Sequence, residues 1–544
     1  MLKKFSWVVA LCLCLMLGPA WAADQAKVAD AVKGGQQWLK KQQQPNGSWN
    51  ETQWGGYTGA ATGFAVAALI ETGVPWNDPA VVAGINYLKS LATVQPNGSV
   101  SLWPGGYNTY NHGTALVALS LWARAQGDAV DVTTTNLIRA ARNYSLSAQY
   151  LGDDAWKGSW SYSGFSGGDN SNTQFGVMGV WYANRFLGDM AGAQPWSDGV
   201  YSWLQHIYVD AGGGRALFDY QPGYGHYAGS MTGAGLWELA MIDKGEDPMA
   251  TAAENWFSQA GNYRWDLNPG PSYNNRTFHY YFVYGMAKAL AATVGSQNTL
   301  GPEARAWSTD LVNRMVDDEA VWGAAPANPG DITDCYWQNP GYSDADAVMC
   351  TAWVLMAIAF VDLNVPKKEA FLPDIPSEDF PIGGLITLLA EGGATISRPG
   401  RRNIAGANLP STVTLPVGAM EFTLHNVPVG GQAVLAIKVP AEALNPANPH
   451  AFVDAAGNLK EGLSWFKIRN GKWKGMVPIV VDKVAQEIRV TLTDGGPEDD
   501  DGMANGEIMD PGAPGFGATE EAATTNPPGG GGKSICFITS LFGN

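Results

Sequence analysis

Residues 38–69 read WLKKQQQPNGSWNETQWGGYTGAATGFAVAAL. An aromatic anchor, Trp38-Leu39, leads through Gln42 to the turn Pro45-Asn46-Gly47-Ser48-Trp49, and a run of small apolar residues follows from Ala60 to Leu69. Pro and Gly punctuate the chain at the turn. A helix that is apolar nearly all round is buried on several faces. The phrase then recurs. Its second copy has Tyr87-Leu88, Gln95-Pro96-Asn97-Gly98-Ser99, then His112 to Leu119. The third has Tyr144, Trp156-Lys157-Gly158-Ser159-Trp160, then Asn172 to Trp181. Looser copies follow: Trp203-Leu204, Phe218-Asp219-Tyr220 and Met231 to Trp237; Trp256-Phe257, Trp265 and Phe278 to Leu290; Leu311, Val321-Trp322-Gly323 and Ala347 to Phe360. Self-similarity of this kind marks a repeat architecture.

The segment before each turn is amphipathic. In Ala26-Lys27-Val28-Ala29-Asp30-Ala31-Val32, Val28, Ala31 and Val32 share a helical face that Lys27 and Asp30 leave. Outer amphipathic helices therefore alternate with inner apolar ones. Six copies without polar end caps favour closure over an open stack, because each open end exposes an apolar face. Lys33-Gly34, Trp38-Leu39, Gln42, Gly47 and Trp49 resemble the QW motif of the squalene cyclase and prenyltransferase repeat. That resemblance covers about residues 24–365 and implies an α6–α6 toroid (an α/α barrel). It implies no single reaction, since one fold hosts several functions.

Met1-Leu2-Lys3-Lys4, an apolar run to Leu17 and Ala20-Trp21-Ala22 have the order of a secretory signal peptide, residues 1–23, cleaved near Ala22-Ala23. Cys12 and Cys14 leave with it. The expected location is periplasmic, secreted or at the surface of a bacterial cell. No later run is long enough to span a bilayer. The chain has 544 residues and a formal charge of −17, from 33 basic and 50 acidic residues, which disfavours nucleic acid as a partner.

Composition changes near Pro366. A Pro/Asp-rich linker (366–380) leads to short alternating runs such as Thr412-Val413-Thr414-Leu415 and Glu487-Ile488-Arg489-Val490-Thr491-Leu492, which predict a small β-sandwich over 381–495. An acidic and Gly-rich tail (496–544), disordered towards its end, carries Asp499, Asp501, Asn505 and Asp510. These oxygen ligands make a Ca2+ site there an alternative to a solvated acidic linker. Residues 375–515 resemble the U-type choice-of-anchor domain of bacteria. Gly529–Gly532 and Cys536 then look like a spacer and a Cys sorting signal, which implies anchoring or sorting machinery as a partner.

The turns lead into the inner helices, so the residues where those helices begin should ring one mouth of a central cavity. In order they are Tyr57 and Thr58; Tyr110 and His112; Asp169, Asn170, Asn172 and Gln174; His226 and Tyr227; Arg276, His279, Tyr280 and Tyr281; Asp344, Asp346 and Cys350. Three of the chain's 6 histidines fall at this place. Helix N-termini favour an anionic or polyhydroxyl ligand there. Capping alone would explain Asp169, Asn172 and Asp344. The His and Tyr residues point instead to a lining for a small molecule, glycan or peptide.

Asp344-Ala345-Asp346-Ala347 vaguely resembles the D-x-D-D acid of class II terpene cyclases, with Ala347 in place of the last Asp. A proton donor of that kind needs a raised pKa. Asp334-Cys335-Tyr336 superficially resembles a zinc-binding element of protein prenyltransferases. In an oxidising compartment a Cys335–Cys350 disulfide is the simpler reading. The expectation is thus a non-catalytic ligand-binding protein without a cofactor. The alternatives are a cyclase-like or glycan-active enzyme using Asp344 or Asp346 as acid, with His226 or His279 as partner, and a structural interaction module.

Overall fold

The computed structural model describes residues 25–517 apart from 53–54, 105, 127–129, 188–192, 297, 325–330, 340–345, 362–368, 373–380, 403–408, 411, 470–471 and 501. The signal-peptide region, Asp344, Asp501 and Cys536 therefore lie outside the described residues.

Among the described residues twelve α-helices alternate as the repeats predict. The outer ones are α1 (Gln25–Gln42), α3 (Pro79–Ser90), α5 (Val132–Ala148), α7 (Ala193–Ile207), α9 (Pro248–Ser258) and α11 (Trp307–Asn313), the last continued by a π-helical turn, Arg314–Glu319. The inner ones are α2 (Thr58–Glu71), α4 (Thr109–Gln126), α6 (Asn170–Leu187), α8 (Gly229–Met241), α10 (His279–Thr293) and α12 (Ala347–Val361). Each inner helix touches the next, and α12 touches α2, so the inner helices form a closed ring. Small residues permit the close approach. A Cβ on Gly113 of α4 would stand 2.4 Å from the Phe175 carbonyl oxygen on α6.

In three of the repeats a tryptophan clamps the turn between two helices. Trp49 Nε1 donates to the Leu39 carbonyl on α1 (2.7 Å), while its backbone N–H donates to Thr62 Oγ1 on α2 (3.0 Å). Trp160 bonds Ser145 O and Thr173 Oγ1 (2.9 and 3.1 Å), and Trp337 bonds Met315 O and Thr351 Oγ1 (2.9 and 3.0 Å). All three indoles are fully buried. The same logic closes the ring. Trp38 stacks on Tyr336 with centroids 5.0 Å apart, and Lys41 pairs with Asp334 at 2.7 Å.

The C-terminal part differs from the expected sandwich. It is one antiparallel sheet of ten strands: β1 (Glu369–Leu372), β2 (Ile386–Ala390), β3 (Thr395–Arg402), β4 (Val413–Thr414), β5 (Ala419–His425), β6 (Gln432–Lys438), β7 (Ser464–Arg469), β8 (Lys472–Asp482), β9 (Glu487–Thr493) and β10 (Ile508–Gly517). The order is β1-β2-β6-β9-β8-β7-β10-β5-β3, with β4 on β10, and β1 touches β3, so the sheet curls on itself. The long strand β8 explains why two layers do not separate. Its first half pairs with β7 and its second half, from Ile479, pairs with β9. The sheet also exceeds the expected bounds, since β1 lies in the expected linker and β10 in the expected tail.

Two charged pairs join this sheet to the helical ring. Arg124, near the end of α4, meets Glu487 at 3.0 Å with both side chains buried, and Arg185 of α6 meets Glu369. The β domain thus covers the end of the ring where inner helices finish. Phe64 plugs the middle, its ring centroid 5.7 Å from each of Phe175, Tyr284 and Trp353. What remains open is the mouth where inner helices begin.

Candidate ligand pocket

That mouth holds a cavity of about 710 Å³. Phe175 and Trp353, between one and two turns inside α6 and α12, and Met231 and Met349, in the first turns of α8 and α12, make its floor. Tyr57, Tyr110, Ser171, Ser230 and Tyr281 are its walls at the helix starts. The loops before α6, α8 and α10 supply Tyr162, then Tyr220, Tyr224 and His226, then Tyr273 and Phe278. Among the described lining residues seven are tyrosines, and none is Asp, Glu, Lys or Arg.

A chain of hydroxyls fixes the inner wall. Tyr110 Oη lies 2.5 Å from Ser171 Oγ, which lies 3.3 Å from Tyr281 Oη; Tyr281 donates to Gln174 Oε1 at 2.6 Å. The rings pack edge and face, with Tyr57–Tyr110 at 5.5 Å, Tyr110–Phe175 at 4.8 Å and Tyr281–Trp353 at 5.7 Å. Each such pair contributes about 0.5–1.5 kcal/mol beyond its buried area. On the loop side, His226 Nε2 and Tyr273 Oη are 2.5 Å apart. Phe278 sits at φ 56°, in the left-handed region, immediately before α10. A non-glycine residue held there marks a backbone that its surroundings over-determine, often at a binding site.

Of the residues read from sequence, Tyr57, Tyr110, His226 and Tyr281 line this cavity. His112 and His279 do not. His112 Nδ1 accepts from Leu102 N–H (3.1 Å) and its Nε2 faces the Ala141 carbonyl (3.0 Å); His279 Nε2 faces the Trp265 carbonyl (2.9 Å). Both are fully buried, and burial holds both imidazoles down at about 4. They tie turns to helices as the clamping tryptophans do. The physical reason is helical: His112 follows Tyr110 by two residues, and Tyr281 follows His279 by two, which turns the side chain by about 200° to the opposite face.

Asp169 and Asn172 form a buried cap on α6. The Asp169 carboxylate accepts from Asn172 N–H (2.9 Å) and Asn172 Nδ2 (2.8 Å), and takes the Tyr220 hydroxyl as well. Gln174 supports Tyr281 from behind. Arg276 grips Glu319 with two nitrogens, at 2.9 and 2.7 Å, and Tyr280 donates to the same carboxylate. Tyr227 is held away from the lining by a backbone bond to Ser272 Oγ (3.0 Å).

Asp346 is a seam residue. Its Oδ2 accepts from Thr52 N–H (3.0 Å) and Thr52 Oγ1 (3.2 Å), and its Oδ1 from Val348 N–H (3.1 Å), joining the first turn to the last inner helix. Cys335 and Cys350 are both buried thiols, not the expected disulfide. Cys335 packs under α1, where a Cβ on Gly34 would stand 2.9 Å from its own Cβ, and burial pushes its thiol up to about 12. Cys350 sits in the first turn of α12.

The acidic run folds into the β domain instead of standing in solvent. Asp499 accepts from Gly495 and Met509 N–H groups (2.9 and 3.0 Å), and the buried Lys467 ammonium meets Asp500 and Asp510 at 2.8 and 3.0 Å. Asn505 receives the Glu507 N–H at 2.8 Å. Among the described residues no group of three or more His, Cys, Asp or Glu side chains could hold a metal ion.

Comparison with solved structures finds helical-ring enzymes. A type II terpene cyclase from Scytonema is 14% identical, covering 61% of this chain and 96% of its own, with a TM-score of 0.38. The protein geranylgeranyltransferase-I of Candida albicans is 8% identical (60% and 90% covered, TM-score 0.36). A family 76 glycoside hydrolase from a bovine Bacteroides thetaiotaomicron strain is 13% identical (61% and 77% covered, TM-score 0.35). No family model and no curated relative matches the chain. At these identities and scores the likeness assigns no activity.

Proposed function

We propose that the chain is an exported bacterial binding protein in which an α6–α6 toroid carries one ligand pocket at its open mouth. The β domain, with its resemblance to a surface-anchoring type, closes the other end and presents the toroid outside the cell. The lining carries this reading: aromatic faces, methionines and hydroxyls and, among the described residues, no Asp, Glu, Lys or Arg. A concave apolar site with a few converging polar groups is the usual form of a small-molecule site. The ligand is a largely apolar organic molecule whose polar part meets Ser171, Ser230 and the tyrosine hydroxyls.

The test is a melting-temperature screen of the mature protein with prenyl alcohols, oligosaccharides, short peptides and alkylammonium salts. A ligand at a hundredfold excess over Kd stabilises by about 2.7 kcal/mol. At least one class should raise the melting temperature, and Met231→Trp, which fills the floor, should abolish the rise. Equal rises in both proteins would place binding elsewhere.

One observation favours the enzyme alternative. Glu238 lies seven residues beyond Met231, two turns deeper on the same stripe of α8. It is fully buried, neither carboxyl oxygen has a hydrogen-bond partner, and burial first, then the charge of Asp169, pushes its pKa well above the ordinary value. That is the state a proton donor needs. In this reading Glu238, not Asp344 or Asp346, is the acid. Glu238→Gln would then stop product formation while leaving the ligand-induced melting shift intact; a shift without product in either protein rejects it.

A further inference from the structure

The walls of the pocket also set the charge of what it takes, an inference that rests on the pocket being a ligand site. Anions are poorly served there. In five of the inner helices a first-turn N–H group, of the kind that would attract one, is taken by the chain's own side chain: Ala60 N–H by Asn111 (2.9 Å), Asn111 N–H by Asn108 (3.0 Å), Asn172 N–H by Asp169 (2.9 Å), Ser230 N–H by Asn268 (3.0 Å) and Val348 N–H by Asp346 (3.1 Å). The nearby cation, Arg276, is closed by its two bonds to Glu319.

A carboxyl group, in contrast, stands behind the aromatic wall: burial raises the pKa of Asp169, and the hydrogen bonds from Asn172 oppose that rise by favouring its charged form. Asp169 is held by two bonds from Asn172 and takes the hydroxyl of Tyr220, whose ring lines the pocket. Its field reaches Tyr57, Tyr110 and Tyr281, adding to burial in raising their pKa values. In front of it the rings of Tyr220, Tyr224, His226 and Tyr273 form a linked wall, with centroid separations of 6.0, 5.8 and 4.9 Å. Ring faces attract cations, most strongly when water is excluded.

We propose that the pocket recognises an organic cation of the quaternary ammonium class. Such a cation spreads its charge over alkyl groups and carries no N–H. It therefore suits ring faces with a carboxylate behind them, whereas a primary ammonium would pair best with a carboxylate at the surface, and the described lining holds none.

Calorimetric titration of the full mature protein at pH 8 and low salt, with choline and with its uncharged isostere 3,3-dimethylbutan-1-ol, tests this. Choline should bind about tenfold or more tightly than the alcohol. Tyr220→Leu should erase the difference. Asp169→Asn, which keeps a capping side chain on α6, should narrow it several-fold. Equal affinities would overturn the charge inference and leave the pocket standing. Binding of neither, with no ligand in the melting screen that Met231→Trp abolishes, would remove both readings. Vesicles assign the source: choline-competable pelleting with phosphatidylcholine but not phosphatidylglycerol marks a lipid headgroup, and choline binding without pelleting marks a free cation.

Discussion

Tyr110 and His112, two residues apart on α4, face opposite ways: the Tyr110 hydroxyl meets Ser171 at 2.5 Å beside the cavity, while the His112 ring bridges the Leu102 N–H and the Ala141 carbonyl behind the helix. One side chain belongs to the binding surface and the other to the scaffold.

Their substitutions should therefore separate. Tyr110→Ala is expected to weaken ligand binding about tenfold or more while the protein remains folded, since it removes a wall and a hydroxyl. His112→Ala is expected to leave ligand affinity within about twofold yet cost about 1–3 kcal/mol, because a buried N–H and a buried carbonyl lose their partner. Denaturant melts and titration of both variants check this. A His112→Ala protein of normal stability with lost binding would reverse the assignment.

The buried histidines also predict acid sensitivity. Their folded pKa values lie at about 4, below the ordinary 6.5. A depressed folded value means that the unfolded chain binds the proton more tightly. Stability from this source is complete above pH 6.5 and is lost as pH falls towards 4. At 1.36 kcal/mol per unit, each histidine accounts for about 3 kcal/mol. His112→Gln should be less stable at pH 7 and show a flatter decline between pH 6.5 and 4. An unchanged slope would contradict it.

How far the sequence carried follows from these residues. The alternation of helices was legible because Gly/Ala-rich runs and the turn tryptophans report burial directly. The mouth of the ring was legible because every inner helix begins after such a turn. Which face of each helix looks inward was not: Tyr110 and His112 are equally polar at that position, and the neighbouring helix chooses between them. The loop residues Tyr162, Tyr224 and Tyr273 carry no periodic signal at all. The floor residues Phe175 and Trp353 could have been found by stepping four residues on from the wall residue Ser171 and the floor residue Met349. In the β domain, alternation located strands, but the double pairing of β8 that merges two layers leaves no pattern in composition.

The two domains should unfold together. Arg124 and Glu487 are 8% and 4% exposed, so removing one leaves a buried charge. Glu487→Ala is expected to cost about 3–5 kcal/mol and to split one calorimetric transition into two. A single unshifted transition would mean that the pair does not couple the domains.

The tryptophan clamp is expected to be energetic as well as repetitive. Trp160→Phe removes the Nε1 bond to the Ser145 carbonyl while keeping most of the packing. It should cost about 1–3 kcal/mol for the unpaired carbonyl, measured by urea denaturation, with the binding pocket unchanged.

The most direct test of the central claim is equilibrium dialysis of the mature protein and of Met231→Trp against the best ligand from the melting screen. The pocket account predicts one site per chain in the unaltered protein and none in the filled variant, with circular dichroism unchanged. Equal binding by both proteins would contradict it.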